Sequence, residues 1–460
     1  MHSLVLPSAI ERELHAAAQL PVETGGVLLA RIVNEPQGGV RLLAQKIIWT
    51  PETAYLKRER DELLVTSDGY VPALAEAERS GCMAFWLHTH PGEYGVPQPS
   101  IYDDKVDCQL ADLFRLRADT PFYGALIVSP RGQHIAFSAA LFPEEGPKQR
   151  IERMWVVGDR WRLITADDAN ETAVPDIYDR NVRAFGKGVQ AALSQLRVGV
   201  VGVGGTGSVV CEQLVRLGVR HFRLFDADTL TASNVTRVYG STPADVGRAK
   251  VEIARDHLMR IAPGLECEVF QSMLTLEATA RQLIGCDVVF GCTDDNAGRL
   301  VLSRFATFML TPVLDLGVLL SSAADGALTG IDGRITVLTH GAPCLICRNR
   351  IDLARAAAEL QTPEERRRLA DEGYAPALGR VEPAVVAFTT AVAAAAVGEL
   401  LERMVGYGPE PRPSEILLRL HEREISTNTA APRDGHYCNS ASGKWGSGVT
   451  TPFLEQTWPA

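Results

Sequence analysis

Two groups of side chains carry the types and spacing needed for chemistry. The first is Glu23, followed by His88-Thr89-His90-Pro91, Ser100 and Asp103. Alternate residues of an extended segment face the same side, so His88 and His90 can offer two imidazoles to one ion. A helix starting near Ser100 and turning back over the strand end would add the Asp103 carboxylate. Two histidines and a carboxylate with an open fourth position make the pattern of a catalytic zinc site. Zinc there would acidify water and polarise a carbonyl. Glu23 is the expected proton acceptor and donor, and Ser100 the expected hydrogen-bond donor to an oxyanion. Taken singly, an H-x-H pair is weak and Ser100 could simply cap a helix.

The second group opens with Gly202-Val203-Gly204-Gly205-Thr206-Gly207, between an apolar strand and a helical run. Glycines in such a turn let the backbone approach phosphate oxygens at a helix N-terminus. Asp226 ends the next strand at the spacing of a ribose-binding acid, which alone would read as a dinucleotide site. The residues that follow point elsewhere: Asp228, Asn234, Arg237 and Lys250 form a polar and cationic battery that hydride transfer does not need. Converting a carboxylate into an acyl-adenylate does need one, to clamp ATP's phosphates and stabilise the charge that develops during transfer. Asp294, ending a further strand with Arg299 five positions on, would bring a Mg²⁺ ligand to the same sheet edge. Cys344 and Cys347 supply half of a four-ligand zinc site.

The elements that position these groups fall into two textures. Apolar runs over 25–33 and 40–49, split by a Gly- and Pro-containing turn, predict paired strands, with further strands over 83–87, 123–129 and 134–142. From Arg197 onward, strands at 197–201, 221–225, 287–290 and 312–316 alternate with helical segments, which argues for an α/β domain with a mostly parallel sheet. The expected organisation is a first domain over 1–145, a connector over 146–175, a second domain over 176–427 and an irregular tail over 428–460. The segment 352–374 reads as a charged helix. No internal repeat is present.

Composition bounds the function classes. The 460 residues are 46% hydrophobic and 22% charged, the profile of a folded soluble protein. The formal net charge is −10 with no basic block, which excludes general nucleic-acid binding. The run 383–401 is Ala-rich and falls short of a membrane span, so a buried helix is expected. No signal peptide is read at the N-terminus. Nine scattered cysteines fit a reducing cytoplasm rather than a disulfide framework.

Together, Glu23, His88-x-His90-Pro91 and Ser100-x-x-Asp103 resemble the JAB/JAMM (MPN) metalloprotease signature. The resemblance implies zinc on His88, His90 and Asp103, acid/base catalysis by Glu23, and hydrolysis after a ubiquitin-like C-terminus. The second group resembles the ThiF/MoeB/ubiquitin-activating superfamily in a Rossmann-like fold, with every motif in order: G-x-G-G-x-G, Asp226-x-Asp228, Ser233-Asn234-x-x-Arg237, Asp245-Val246-Gly247-x-x-Lys250 and Asp294 before Arg299. It implies Gly202, Gly204, Gly205 and Gly207 around the nucleotide, Asp226 on the ribose, and Asn234, Arg237 and Lys250 on phosphates. Mg²⁺ is implied on Asp294, although Asp295 leaves two carboxylates to choose from. Arg180-x-x-Arg183 matches an element whose arginine reaches a neighbouring subunit's ATP site, implying a homodimer with Arg183 as the finger. Where relatives carry a second C-x-x-C, this chain has His436-Tyr437-Cys438, so a Cys344, Cys347, His436, Cys438 structural zinc site is expected.

The two resemblances imply an enzyme that trims or deconjugates a ubiquitin-like protein and adenylates its exposed carboxylate with ATP. Alternatives are processing of a sulfur carrier for cofactor or metabolite synthesis, and a degenerate scaffold that only binds such a protein. No cysteine lies in 352–388, and Cys82, Cys108, Cys211, Cys267, Cys286 and Cys292 fall in or beside expected core elements. The expected chemistry therefore ends at the adenylate, or passes it to a thiol on a conjugating partner.

Overall fold

The computed structural model describes residues 1–92, 95–167, 174–323, 325, 327–361, 365 and 384–459. The chain divides into a first unit of residues 1–173 with 446–448, and a second of 174–445 with 449–460.

In the first unit the order is β1 (His2–Pro7), α1 (Ser8–Ala18), β2 (Gly25–Asn34), β3 (Val40–Trp49), β4 (Tyr55–Arg58), β5 (Leu63–Val65), α2 (Val71–Ser80) and β6 (Met83–Thr89). Then follow α3 (Ile101–Ala118), β7 (Phe122–Arg131), β8 (His134–Pro143), β9 (Gln149–Val157) and β10 (Arg162–Thr165). One sheet runs β1-β3-β2-β6-β7-β8-β9-β10, and β1 also pairs with β9, closing it on itself; β4 and β5 form a separate hairpin. The β2–β3 turn ends on Gly38 and Gly39, both at positive φ, where side-chain-bearing residues are strained. β6 and β7 are parallel, and such neighbours need a long crossover, which α3 provides.

β6 is apolar at nearly every position because both faces are covered. Met83, Phe85 and Leu87 enter one core cluster, while Ala84 and Trp86 enter another with Phe114 of α3. His88 continues the Ala84–Trp86 face, which turns it toward α3. The segment 146–175, expected as a polar connector, instead holds β9 and β10. Ile151, Met154, Trp155, Val156 and Val157 are all buried there, so it belongs to the first unit's sheet.

The second unit contains α4 (Asp179–Gln195), β11 (Arg197–Val201), α5 (Gly207–Arg216), β12 (His221–Phe225), α6 (Lys250–Ile261), β13 (Glu266–Phe270), α7 (Glu277–Arg281), β14 (Val288–Gly291), α8 (Asn296–Phe308) and β15 (Val313–Ser322). β16 (Leu328–Leu338), α9 (Leu353–Glu359), α10 (Val386–Val405), β17 (Glu415–Arg419) and β18 (Glu424–Thr427) complete it. The sheet order is β13-β12-β11-β14-β15-β16-β17-β18. The expectation of a mostly parallel sheet is corrected: β13 to β15 are parallel, but β15–β16, β16–β17 and β17–β18 are antiparallel, giving a mixed sheet. After β15 the chain doubles back directly instead of crossing over through a helix. α10 is the expected buried helix, with Val392, Ala393, Ala396 and Leu400 inside. Among the described residues no helix is long and apolar enough to cross a membrane. Of the charged helix expected over 352–374, Leu353–Glu359 forms α9 and 360–361 are not helical, while 362–364 and 366–374 lie outside the described residues.

Candidate functional site

The first unit brings its expected ligands together. His88 Nε2 lies 3.2 Å from His90 Nε2 and 3.2 Å from Asp103 Oδ1, and His90 Nε2 is 3.9 Å from Asp103 Oδ2. The donor atoms of all three are within 4.8 Å of one another, a cluster able to hold one ion. Asp103 is fixed by a capping box at the start of α3: its amide donates to Ser100 Oγ at 3.2 Å, and the Ser100 amide donates to Asp103 Oδ2 at 2.6 Å. Such reciprocal bonds satisfy two exposed helix-start donors. Ser100 is thus a helix cap, and its side chain also helps hold the Asp103 carboxyl down.

Glu23 is brought to the same strand end by backbone pairing. Gly25 pairs with His88, the Thr89 amide donates to the Thr24 carbonyl at 3.1 Å, and the Thr24 amide donates to Thr89 Oγ1 at 3.0 Å. Arg58 braces this segment, donating to the Glu23 carbonyl at 3.1 Å and to Thr24 Oγ1 at 2.8 Å. One turn along α3, buried Asp107 accepts from the Tyr123 hydroxyl at 2.6 Å. Burial pushes its carboxyl up to about 6, against the pull of Tyr123. Sequence reading passed over Asp107 because an acid inside an acidic helix carries no signal of its own.

In the second unit a cavity of about 800 Å³ opens at the carboxyl end of the parallel strands, where α/β sheets bind ligands. The glycine loop follows β11. Gly202 has φ +83°, and a Cβ there would sit 2.8 Å from the Cys292 carbonyl oxygen; a Cβ on Gly207 would meet the Gly202 oxygen at 1.9 Å. Both positions therefore admit only glycine. Asp226 accepts the Val203 amide at 2.8 Å and the Asp228 amide at 2.9 Å. Burial pushes its carboxyl up, with Lys250 and those two amides opposing. Lys250 donates to Asp228 Oδ2 at 2.7 Å. Asn234 and Arg237 line the same cavity; Asn234 Oδ1 accepts the Thr231 amide at 3.3 Å and Arg237 donates to the Ser233 carbonyl at 3.0 Å.

The two neighbouring acids differ in occupation. Asp295 is the N-cap of α8, accepting from the Gly298 amide and the Thr293 hydroxyl. Asp294 is exposed and lines the cavity. The far wall holds two groups that sequence reading missed, Asp315 and Arg334: fully buried Asp315 of β15 pairs with Arg334 at 2.6 Å and with Arg299, already named beside Asp294, at 3.4 Å. Arg183 is not among the cavity-lining residues; it is 78% exposed and pairs with Asp179 at 2.9 Å. Its turn is separated from the rest of α4 by Gly186, whose φ of 85° breaks the helix.

The cysteine set also assembles. His436 Nδ1 lies 3.4 Å from the Sγ of each of Cys344, Cys347 and Cys438, and Cys347 Sγ is 3.5 Å from Cys438 Sγ. Backbone amides of Cys347 and Arg433 point at Cys344 and Cys347 sulfurs at 3.5 and 3.4 Å, as suits thiolates. Hydrogen bonding with Cys438 pulls the Cys344 thiol down. Burial pushes the Cys267 thiol up to about 12 and also raises those of Cys211 and Cys292. Cys108, expected beside the core, is instead exposed on α3.

A glycine loop after a parallel strand, an acid just after the next strand and a cationic far wall mark the second unit as a Rossmann-like α/β domain. Residues 178–439 match the ThiF family, and the chain belongs to that family. It is similar to the molybdopterin-synthase adenylyltransferase of Escherichia coli (strain K12), 34% identical over 178 residues, 38% of this chain and 68% of that protein. It also resembles the adenylyltransferase and sulfurtransferase MOCS3 of Culex quinquefasciatus, at 29% identity over 44% of each chain. Ubiquitin-like modifier-activating enzyme 5 of Caenorhabditis briggsae matches at 29% identity over 38% of this chain and 43% of that protein.

Proposed function

We propose that the second unit adenylates the C-terminal carboxylate of a ubiquitin-like or sulfur-carrier protein, and that the first unit is a zinc isopeptidase of the JAB/JAMM type acting on the same class of tail. The observation that carries the first half is the cavity joining the glycine loop, Asp226, Arg237, Lys250 and Asp294 in a chain of the ThiF family. The names of the relatives support the substrate class.

In the adenylating step a carboxylate oxygen bonds to the α-phosphorus of ATP, the bond to the β-phosphate oxygen breaks, and pyrophosphate leaves with that electron pair. Asp226 holds the ribose, while loop amides, Asn234, Arg237 and Lys250 hold the phosphates and offset charge in the transition state. Mg²⁺ on Asp294 supplies further charge neutralisation when bound; Asp295, occupied as a cap, is not its ligand. Arg183, exposed and outside its own cavity, fits a finger into a partner's site, so the active species is a homodimer. Cys292 is the cysteine that lines the cavity, and burial pushes its thiol up and away from the thiolate, so the chain's product is the adenylate.

The donor set His88, His90 and Asp103 fits zinc, which supplies Lewis acidity there when bound. Glu23 takes the proton of the attacking water and returns it to the leaving amine. The Ser100 hydroxyl, hydrogen-bonded to Asp103 in the capping box, turns its proton to the oxyanion as that charge forms. The set Cys344, Cys347, His436 and Cys438 fits a closed structural zinc.

Incubating the chain with ATP, Mg²⁺ and a ubiquitin-like protein extended beyond a Gly-Gly terminus tests both halves by intact mass. Trimming followed by AMP transfer supports the proposal. Trimming that persists in Glu23→Gln, or absence of pyrophosphate release with the pre-trimmed protein, removes the corresponding half.

A further inference from the structure

The cavity's far wall carries more positive charge than it neutralises. Asp315 is fully buried, yet it faces two guanidiniums, Arg334 at 2.6 Å and Arg299 at 3.4 Å, each only 15% exposed. Two cations against one carboxylate leave a net positive charge in a poorly solvated wall. Such an excess is costly unless an anion completes it. Arg334 Nε is buried without a hydrogen-bond acceptor, and Arg299 Nε, 3.4 Å from Asp315 Oδ1, makes an ion pair with it but no hydrogen bond. The next arginines offer no relief, since Arg348 and Arg350 share Glu415 in the same two-to-one ratio. Asp332, two residues before Arg334, has Arg419 opposite it in the strand pairing. Gly317 is paired with Arg334 across β15 and β16, and a Cβ on it would lie 3.2 Å from Arg334 Nη2 and 3.5 Å from Arg299 Nη2. Its bare backbone keeps both guanidiniums open to the cavity.

Strand order supplies a ruler. Phe225, Val201, Gly291 and Asp315 form one row across β12, β11, β14 and β15, with neighbours about 4.8 Å apart. Read across that edge, the row gives the ribose acid, the phosphate loop, the Asp294 strand and then the guanidinium pair. The phosphates have Arg237, Lys250 and the loop amides, so the pair at the end of the row serves a second, singly charged anion.

We infer that Arg334 and Arg299, aimed by buried Asp315 and left uncovered by Gly317, form the subsite that binds and positions the acceptor's C-terminal carboxylate. This rests on the adenylating function proposed above. The pair is a positioning device: it tells a free acid from a neutral terminus and leaves nucleotide binding to the other end of the row.

The test is equilibrium binding to the full chain, with Mg²⁺, of an ATP analogue that cannot be cleaved between its α- and β-phosphates. Alongside it are measured a synthetic peptide ending in Gly-Gly as the free acid and the same peptide as its carboxamide. The wild type is expected to favour the acid by about tenfold or more, the worth of one charge-assisted pair. Arg334→Ala leaves Asp315 balanced by Arg299 and should fold; it is expected to erase the preference while nucleotide affinity changes by less than about twofold. Gly317→Val, which keeps all three charges and covers the guanidiniums, is expected to do the same. A preference that survives both variants overturns the subsite, as does a fall in nucleotide affinity equal to that in peptide affinity. A wild type that binds nucleotide without telling acid from amide also overturns the subsite while adenylation stands; one that binds no nucleotide removes both.

Discussion

Lys250 reaches back across the cavity floor to Asp228: its ammonium donates to the Asp228 carboxylate at 2.7 Å, and its amide donates to the Asp228 carbonyl at 3.1 Å. The lysine opens α6, so one acid both anchors that helix start and holds the cation beside the phosphate loop. Lys250→Ala is expected to lower ATP–pyrophosphate exchange by about 10²–10³-fold, the loss typical of one preorganised transition-state donor. Lys250→Arg should not restore it, because a planar fork does not replace a compact ammonium. Unchanged circular dichroism would show that the fold is intact.

Arg183 gives a test that needs no partner structure. Arg183→Ala and Lys250→Ala chains are each expected to be inactive alone. Mixed equally, they form heterodimers in which one site has both its own lysine and the other chain's arginine. Random pairing places such a site in half the dimers, so exchange should recover to about a quarter of wild type. No recovery after demonstrated subunit exchange would remove the finger.

Zinc stoichiometry separates the two metal sites. Two ions per chain are expected. Cys438→Ala should remove one and lower the melting temperature, since a closed cysteine–histidine site stabilises by tying the 344–347 turn to the 436–438 segment. His88→Ala should remove the other and abolish peptidase activity with a smaller thermal effect. Elemental analysis and calorimetry read both.

Glu415 makes stability depend on acid. Burial opposes its charge, but Arg350, Asn428 and Thr336 hold the carboxyl down at about 2. A carboxyl depressed on folding stabilises fully above its unfolded value near 4.5, and that contribution is lost as pH falls toward 2. Glu415→Gln is therefore expected to cost about 3 kcal/mol at pH 7. The gap from wild type should close between about pH 4.5 and 2, followed by denaturant unfolding.

Much of this was legible in the sequence because local geometry fixes it. The H-x-H pair follows from strand alternation at the end of β6, and the loop glycines from a backbone path that leaves no room for a Cβ. Cys344, Cys347, His436 and Cys438 were readable across nearly a hundred positions because their ligand chemistry names its own partners. What was missed depends on register. β13 is an edge strand carrying Glu266 and Glu268, so its apolar signal is diluted, and β16 is interrupted by Gly330 and Gly333. Arg334 meets Asp315 only because β16 folds back against β15. Nothing in either residue's neighbourhood announces that pairing.

The cap on α8 has a mechanical consequence. Asp295 secures the first turn of a helix with Asp294 just before it and Arg299 just inside it, and the Arg299 amide bonds the Asp295 carbonyl at 3.3 Å. The acid proposed for the metal and a guanidinium proposed for the acceptor are thus indexed to a single peg. Fraying of that one turn would let both go at once, so the two ends of the reaction centre loosen together or not at all.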